Sequence, residues 1–337
     1  KVGDRTVTSI FIGGGTPSLL SGEQIGQLMD RIREQFAMAQ DAEITMEVNP
    51  GTASAEKLRN FYTAGINRLS IGMQSAQAEE LKNLGRIHDF EGFCQVYREA
   101  VEAGFTNINV DIMSGLPGQT LASYRDTLEK VLHLEPMPQH ISAYSLIVEE
   151  GTPFAAMAER GELPLPEEET ERAMYEETIE VLAKYGFHRY EISNYARDGY
   201  ECRHNVGYWI RRDYLGFGIG AASLIDNVRF QNEKSLGAYL AHPLESREEE
   251  QTLTVQDRME ETMFLGLRLT RGVSCVDFAE QYGRTVEEVY GEVIARNVAD
   301  GLLTVTERKE NQKKDRFLAL TKRGLDLSNY VMAQFLF

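Results

Sequence analysis

Hydrophobic and polar positions alternate in two patterns over the first two thirds of the chain. Short apolar runs typical of buried strands occur at 8–13, 43–48, 67–73, 107–113, 140–147 and 189–193. Between them, apolar residues recur at helical spacing in segments 22–38, 54–64, 77–103 (which we expect to be interrupted), 120–134 and 167–185. Strands that alternate with helices in this way predict βαβ connections and a parallel sheet, either open or curled into a barrel.

The pattern changes after residue 245, where a charged run begins. Thr285 and Glu288 have the spacing of a capping box, which predicts a helix that ends at Gly301. The other predicted elements are helices at 256–271 and 274–282, a hairpin formed by 302–306 and 317–321, and a last helix. This order resembles a winged-helix module, and we therefore predict two domains, at 1–245 and 246–337.

The net charge of the chain limits the kinds of partner that it is expected to bind. The chain has 35 basic and 52 acidic residues among 337, for a formal net charge of −17. An acidic balance argues against a nucleic-acid partner and against adsorption to an anionic membrane. The helix that would read DNA in a winged-helix module is itself acidic, with Glu287, Glu288, Glu292 and Asp300 against Arg296.

Two further features indicate the compartment. No apolar run reaches the ~20 residues that cross a bilayer, so stable membrane insertion is not expected. The three cysteines, Cys94, Cys202 and Cys275, are far apart and form no CxxC or CxxxC pair. We therefore expect neither a disulfide framework nor a metal knuckle, and predict a cytoplasmic protein.

Polar or glycine-rich clusters follow five of the predicted strands. They are Gly13–Thr16; Glu47, Asn49 and Pro50; Gln74 and Ser75; Asp111 with the turn 114–119; and Tyr144 with Ser145. Each cluster alone is more typical of a turn or a helix cap than of a ligand contact. Parallel sheets and barrels bind ligands at the carboxyl ends of their strands, so five clusters at one edge predict a concave site there.

Two other segments carry candidate chemistry. Arg86 and His88 in LGRIH fit either a surface position or a clamp for a carboxylate or phosphate. His204 lies in CRHNVGYW, close to the only tryptophan, Trp209, and to the glycine-rich loop LGFGIGAAS. This combination suits a flat aromatic ligand with the imidazole as a metal ligand, or a histidine that is simply packed in the core.

Seven segments together resemble the coproporphyrinogen oxidase-like branch of the radical S-adenosylmethionine superfamily. They cover nearly all of 8–225 and are IFIGGGTPSLLS, EITMEVNPGT, GINRLSIGMQS, LGRIH, NVDIMSGLPGQT, YEISNYA and HNVGYW. The resemblance implies an α/β fold, a partial (β/α)6 TIM-like barrel with S-adenosylmethionine across its strand ends. The C-terminal part resembles the family more loosely, as a small winged-helix-like helical domain.

The resemblance also assigns site residues. Gly14, Gly15 and Thr16 would meet the methionine end of S-adenosylmethionine, and Arg86 would pair with its carboxylate. Its ribose and amino group would be bound by Glu47, Gln74 and Asp111. The HNxxYW segment favours the haem-chaperone members of the branch, with His204 as haem ligand, Tyr208 in support and Cys202 as a less favoured thiolate ligand.

One departure from the family concerns its iron–sulfur cluster. Members carry CxxxCxxC after the first barrel strand, where three thiolates hold a [4Fe–4S] cluster, and this sequence has no such motif. Because the chain begins just before what should be the second strand, we expect the first strand and the cluster loop to precede Lys1. As it stands, the chain is expected not to ligate the cluster or cleave S-adenosylmethionine.

The resemblance therefore favours a haem-binding chaperone that delivers haem to acceptor haemoproteins. Two alternatives stay open. One is an oxygen-independent coproporphyrinogen III dehydrogenase, which decarboxylates its substrate oxidatively in porphyrin biosynthesis, and the other is a non-catalytic scaffold. The sequence indicates neither the acceptor nor the oligomeric state.

Overall fold

The chain folds into two compact units. The computed structural model describes residues 3, 5–243, 245, 247–310 and 313–336. The first unit comprises residues 3–189 and 193–204, and the second comprises residues 190–192 and 205 onward. Contacts thus place 205–245 in the second unit, whereas the domain boundary near residue 245 stays a prediction.

The first unit is built on a curled, mainly parallel sheet. Its strands are β1 (Thr6–Ile12), β2 (Ala37–Val48), β3 (Arg68–Gln74), β4 (Ile108–Ser114), β5 (His140–Ser145), β6 (His188–Arg189) and β7 (Asn194–Ala196). The sheet order is β1-β2-β3-β4-β5-β7-β6. Strands β1 to β5 are parallel, and β7 runs antiparallel to both β5 and β6.

The predicted strand at 189–193 is wrong. Two short strands, β6 and β7, flank residues 190–192, which belong to the second unit. There Glu191 forms a bridge with Leu269, and the backbone N–H of Thr270 donates to the carbonyl of Tyr190 at 3.0 Å. The backbone groups of this segment are therefore used away from the first sheet.

Helices connect the strands. They are α1 (Gly22–Gln35), α2 (Ala55–Thr63), α3 (Ala78–Asn83), α4 (Phe90–Glu102), α5 (Leu121–Leu132), α6 (Pro153–Glu159), α7 (Glu168–Lys184) and α8 (Arg203–Trp209). All five predicted helical segments form helices, although α1 ends at Gln35 because β2 already begins at Ala37, and two further short helices, α6 and α8, were not predicted. Capping boxes at Ser21 and Thr120 fix the starts of α1 and α5. The expected interruption within 77–103 is confirmed, since α3 and α4 are separate helices.

The core of the first unit lies between the sheet and these helices. Leu69, Ile71 and Met73 of β3 are buried in it, as are the corresponding residues of the neighbouring strands. Side chains alternate between the two faces of a strand, so the intervening positions Arg68, Ser70 and Gln74 face the inside of the curled sheet. This alternation makes the inner face polar.

The strands of the second unit are β8 (Ala222–Ile225), β9 (Val228–Asn232), β10 (Arg247–Thr252), β11 (Val273–Ser274), β12 (Leu303–Glu310) and β13 (Lys313–Leu320). They form two small antiparallel sheets with order β10-β9-β8 and β11-β13-β12. Its helices are α9 (Leu236–Ala241), α10 (Val255–Gly266), α11 (Cys275–Tyr282), α12 (Val286–Ala299), α13 (Lys322–Asp326) and α14 (Ser328–Ala333).

The order of elements predicted for 246–337 is largely confirmed. The capping box forms at Thr285, and β12 and β13 make the predicted hairpin. The helix predicted at 256–271 ends earlier, at Gly266, and the charged run after residue 245 enters β10. Among the described residues, no helix combines the length and the apolar content needed to cross a membrane.

Candidate functional site

The glycine run after β1 forms a tight turn over a carboxylate. Gly14 and Gly15 have φ values of 77° and 57°, in the left-handed region that other residues avoid. The backbone N–H of Gly14 donates to Oε2 of Glu47 at 3.1 Å. A Cβ on Gly13 would lie 3.1 Å from the same carboxylate. Glycine is needed here because the backbone approaches Glu47 so closely.

Asp111 is the second carboxylate at this end of the sheet. Its Oδ1 accepts a hydrogen bond from Asn109 Nδ2 at 2.7 Å, and Ser70 Oγ lies 3.3 Å from Oδ2. Burial raises the pKa of Asp111, opposed by hydrogen bonds from neutral groups and by the charge of Arg68. Burial also raises the pKa of Glu47; the Gly14 N–H opposes this and the nearby Asp111 adds to it. The two acids therefore share one electrostatic environment.

Gln74, Tyr144 and Arg86 complete the group. Gln74 has a φ of 70° at a register shift in β3, and its Oε1 accepts a hydrogen bond from the Tyr144 hydroxyl at 3.0 Å. Burial raises the pKa of Tyr144, as do the charges of Asp111 and Glu47, whereas Arg86 opposes them. Tyr144 is thus within electrostatic reach of all three charged groups. We call Gly14, Glu47, Gln74, Arg86, Asp111 and Tyr144 the rim residues.

Arg86 differs from the other rim residues in its partners. Its backbone N–H donates to Leu81, which fixes the start of the connection to α4. Among the described residues, its half-buried guanidinium has no hydrogen bond or ion pair. A guanidinium held near a polar rim without a protein acceptor is suited to an anionic ligand group.

A buried carboxylate that the sequence analysis missed anchors two of the predicted turns. Glu80, in the first turn of α3, accepts hydrogen bonds from Ser75 Oγ (2.6 Å), Gln119 Nε2 (3.0 Å) and Ser123 Oγ (2.6 Å). Ser75 and Gln119 therefore support the turns after β3 and β4. The sequence offered one signal for this interaction. Glu80 follows the polar turn after β3, and the connection after β4 also contains a polar turn.

Several other predicted residues hold local structure. His88 is buried and its Nε2 lies 3.3 Å from the carbonyl of Met73, which ties the connection to β3. The Asn49 side chain accepts a hydrogen bond from the N–H of Gly51, and the carbonyl of Thr16 accepts one from Leu19. The structure thus brings the predicted acids, amide and arginine together, while Thr16 begins a 3-10 turn beside the glycines.

Below the rim, the inner face carries a polar network that sequence reasoning also missed. Asn109 donates to Ser70 Oγ at 2.7 Å, and its Oδ1 lies 2.6 Å from His140 Nδ1 and 3.1 Å from Ser142 Oγ. Arg68, only 2% exposed, lies on the same face. The signal was present in the strands, as polar residues spaced two apart within apolar runs.

His204 lies against β1 and β2 of the first unit. Its Nδ1 is 3.0 Å from Ser9 Oγ, and its backbone N–H donates to Glu43 Oε1 at 3.0 Å. Its ring centroid is 5.3 Å from that of Phe11. Burial lowers the pKa of His204, opposed by Glu43 and reinforced by Arg68, which favours the neutral imidazole.

Two further residues that the sequence analysis assigned to haem, Cys202 and Tyr208, lie close to His204 in the sequence. Cys202 is buried and its Sγ donates to Glu43 at 3.6 Å. Tyr208 lies on the same short helix as His204, and its ring packs edge-on against Tyr214 with centroids 4.7 Å apart. The assignment of these residues to haem stays a prediction.

The described residues contain no group of three or more histidine, cysteine or acidic side chains placed to hold a metal ion. The sequence has no CxxxCxxC motif either. The residues present therefore do not fit a [4Fe–4S] cluster.

Comparisons with known proteins agree with this geometry. The model of the radical SAM superfamily matches residues 1–131, and that of the HemN C-terminal domain matches 253–327. The solved structure of coproporphyrinogen III oxidase (HemN) from Escherichia coli superposes with a TM-score of 0.80 at 26% identity, covering 98% of this chain and 78% of that chain.

Curated relatives narrow the assignment. The heme chaperone HemW of Bacillus subtilis is 39% identical over 343 residues, covering 100% of this chain and 87% of that protein. The heme chaperone HemW of Escherichia coli is 37% identical over 308 residues, covering 89% and 78%. The chain therefore belongs to the HemW family of the radical SAM superfamily.

Proposed function

We propose that this protein is a haem chaperone that binds S-adenosylmethionine at the rim residues and passes haem to acceptor haemoproteins. The relatives named above are heme chaperones, and they span most of this chain. The observation that carries the S-adenosylmethionine site is the meeting of two carboxylates with an arginine that has no acceptor among the described residues.

The chemistry of S-adenosylmethionine matches these groups. Its ribose hydroxyls and amino group are donors, which Glu47, Asp111 and the Gln74 carbonyl oxygen can accept. Its carboxylate suits the forked guanidinium of Arg86. The methionine end would lie along the backbone of Gly14, Gly15 and Thr16. The two glycines have no side chain that would block this close approach.

In radical SAM proteins a [4Fe–4S] cluster supplies the electron for cleavage of S-adenosylmethionine. The described residues of this chain do not fit such a cluster. What the chain's own residues do is bind and orient the nucleoside and amino-acid ends of S-adenosylmethionine.

For haem, we propose His204 as the iron ligand, with Tyr208 in support and Cys202 as a less favoured ligand. A neutral imidazole is the ligating form, and the lowered pKa of His204 favours it at neutral pH. The ligating atom would be Nε2, because Nδ1 lies 3.0 Å from Ser9 Oγ.

Haem titration tests this assignment. We expect His204→Ala to shift the Soret band and weaken haem binding, whereas His133→Ala, at an exposed histidine of the same chain, leaves both unchanged. Identical spectra and affinities for wild type and His204→Ala would remove His204 from the role.

A second candidate is oxidative decarboxylation of coproporphyrinogen III, favoured by the superposition with HemN. An anaerobic assay with S-adenosylmethionine, after reconstitution with iron and sulfide, distinguishes the two, since formation of protoporphyrinogen would establish the enzyme. A non-catalytic scaffold would bind neither haem nor S-adenosylmethionine.

The acidic charge supports a cytoplasmic protein without nucleic-acid or membrane partners.

A further inference from the structure

Arg68 is a buried cation that the proposed binding site does not use. It is the first residue of β3 and is 2% exposed, yet its side chain has no hydrogen bond or ion pair with any described residue. Its Nε is buried without a partner. Arginine is rarely buried unless it is paired, because a charged group loses its hydration when it leaves water. A specific compensation is therefore expected.

That compensation comes from acids on the same inner face. Arg68 pairs in register with Thr45 of β2, and side chains two residues either side of Thr45 are Glu43 and Glu47. On β4, the charge of Arg68 acts on Asp111. Arg68 thus shares the inner face with three acidic residues, its charge acts on Asp111, and it forms no ion pair with any described residue.

We propose that Arg68 is a positioning residue, whose charge holds Asp111 in the carboxylate form in which it accepts hydrogen bonds from S-adenosylmethionine. This inference rests on the proposed function of the rim residues. Arg68 itself does not touch the ligand in this proposal, since it begins β3 whereas the rim lies at the carboxyl ends of the strands.

The electrostatics explain why a cation is needed. Burial raises the pKa of both rim acids, and the nearby Asp111 raises the pKa of Glu47 further. The groups that face Asp111 are Asn109 on its own strand, Ser70 and Arg68 on β3, Glu47 on β2, and Ser142 and Tyr144 on β5. Arg68 is the cation in this set, so its removal would raise the pKa of Asp111 further. A protonated carboxyl group would then lose acceptor capacity.

The test is a calorimetric titration of S-adenosylmethionine against pH. It compares the wild-type chain with Arg68→Met, which keeps the length of the side chain, and Arg68→Lys, which keeps the charge. We expect Arg68→Met to bind about tenfold more weakly near pH 6.5 and to recover toward wild-type affinity near pH 9, as Asp111 ionises. Arg68→Lys should follow the wild-type profile.

A double-mutant cycle with Asp111→Asn makes the outcome decisive. If Arg68 acts through Asp111, adding Arg68→Met to Asp111→Asn should weaken binding far less than it does in the wild-type background. A loss in Arg68→Met that is independent of pH, and that lysine does not rescue, would overturn the inference. Arg68→Gln, with a planar polar group, replaces the methionine variant should thermal melts show that it does not fold.

The same titrations separate this inference from the proposed function. Absence of binding by the wild-type chain would contradict S-adenosylmethionine binding at the rim. Wild-type binding with a pH-independent loss in the variant would contradict only the role of Arg68.

Discussion

Glu43 and Glu47 lie four residues apart on the same face of β2, yet they are used differently. The carboxylate of Glu43 accepts hydrogen bonds from the backbone N–H groups of Arg203 (3.1 Å) and His204 (3.0 Å), and from Cys202 Sγ (3.6 Å). Glu47 accepts a hydrogen bond from the N–H of Gly14 at 3.1 Å. The first acid is saturated by its own chain, whereas the second keeps acceptor capacity for a ligand.

The comparison shows that burial of a carboxylate does not by itself indicate a binding site. A buried acid whose oxygens are filled by backbone donors fixes the fold, because its loss leaves those donors unsatisfied. An acid with few internal partners is destabilised by its loss of hydration, because protein donors replace only part of the lost hydrogen bonds. A ligand that supplies donors offsets the rest. The raised pKa of Glu47 reflects that cost.

The largest effect that tests the comparison is on stability. We expect Glu43→Ala to lower the free energy of unfolding by about 2–4 kcal/mol, because two backbone N–H groups lose a charged acceptor. Glu47→Ala, on the same strand face, should change it by less than about 1 kcal/mol. Urea denaturation of both variants measures the difference, and equal losses would contradict the distinction.

The next effect is on ligand affinity. We expect Arg86→Met to weaken S-adenosylmethionine binding by roughly 10- to 100-fold, since an ion-paired hydrogen bond to the ligand carboxylate is lost. Arg59→Met, at an exposed arginine of α2, serves as control and should bind normally. Unchanged affinity in Arg86→Met, measured by calorimetry, would place the carboxylate elsewhere.

Most of the fold of the first unit follows from the hydrophobic pattern. Apolar runs separated by amphipathic helices predicted five strands that the structure confirms as parallel, because only a sheet covered by helices makes its strands so apolar. The run at 189–193 was misassigned for a physical reason. An apolar pattern shows that a segment is buried, but Glu191 pairs with Leu269 in the second unit rather than within the first sheet.

The rim residues that could be predicted from the sequence are those that lie at the carboxyl ends of parallel strands. Glu47, Gln74 and Asp111 end parallel strands, so the topology collects them at one edge. Arg68 and Asn109 were missed because polar residues that alternate with apolar ones usually face water, and only the curling of the sheet encloses them. Glu80 was missed because two of its three partners, Gln119 and Ser123, lie 39 and 43 residues away in the sequence.

The smallest expected effect concerns Asp111 and pH. Burial raises the pKa of this carboxyl in the folded protein, so the folded state holds the proton more tightly than the unfolded state. Stability contributed by Asp111 is therefore greatest at low pH and falls as pH rises from its ordinary value of 3.8 through the raised folded value.

Asp111→Asn removes this titration while keeping a polar side chain of the same shape. At neutral pH we expect the free energy of unfolding of the variant to equal that of the wild type or to exceed it by up to about 1 kcal/mol. This difference should disappear near pH 4. S-adenosylmethionine binding should weaken in the same variant, since an acceptor is replaced in part by a donor. A variant that is less stable at pH 7 but binds normally would reverse the comparison, making Asp111 a structural acid like Glu43 rather than an acid kept for a ligand.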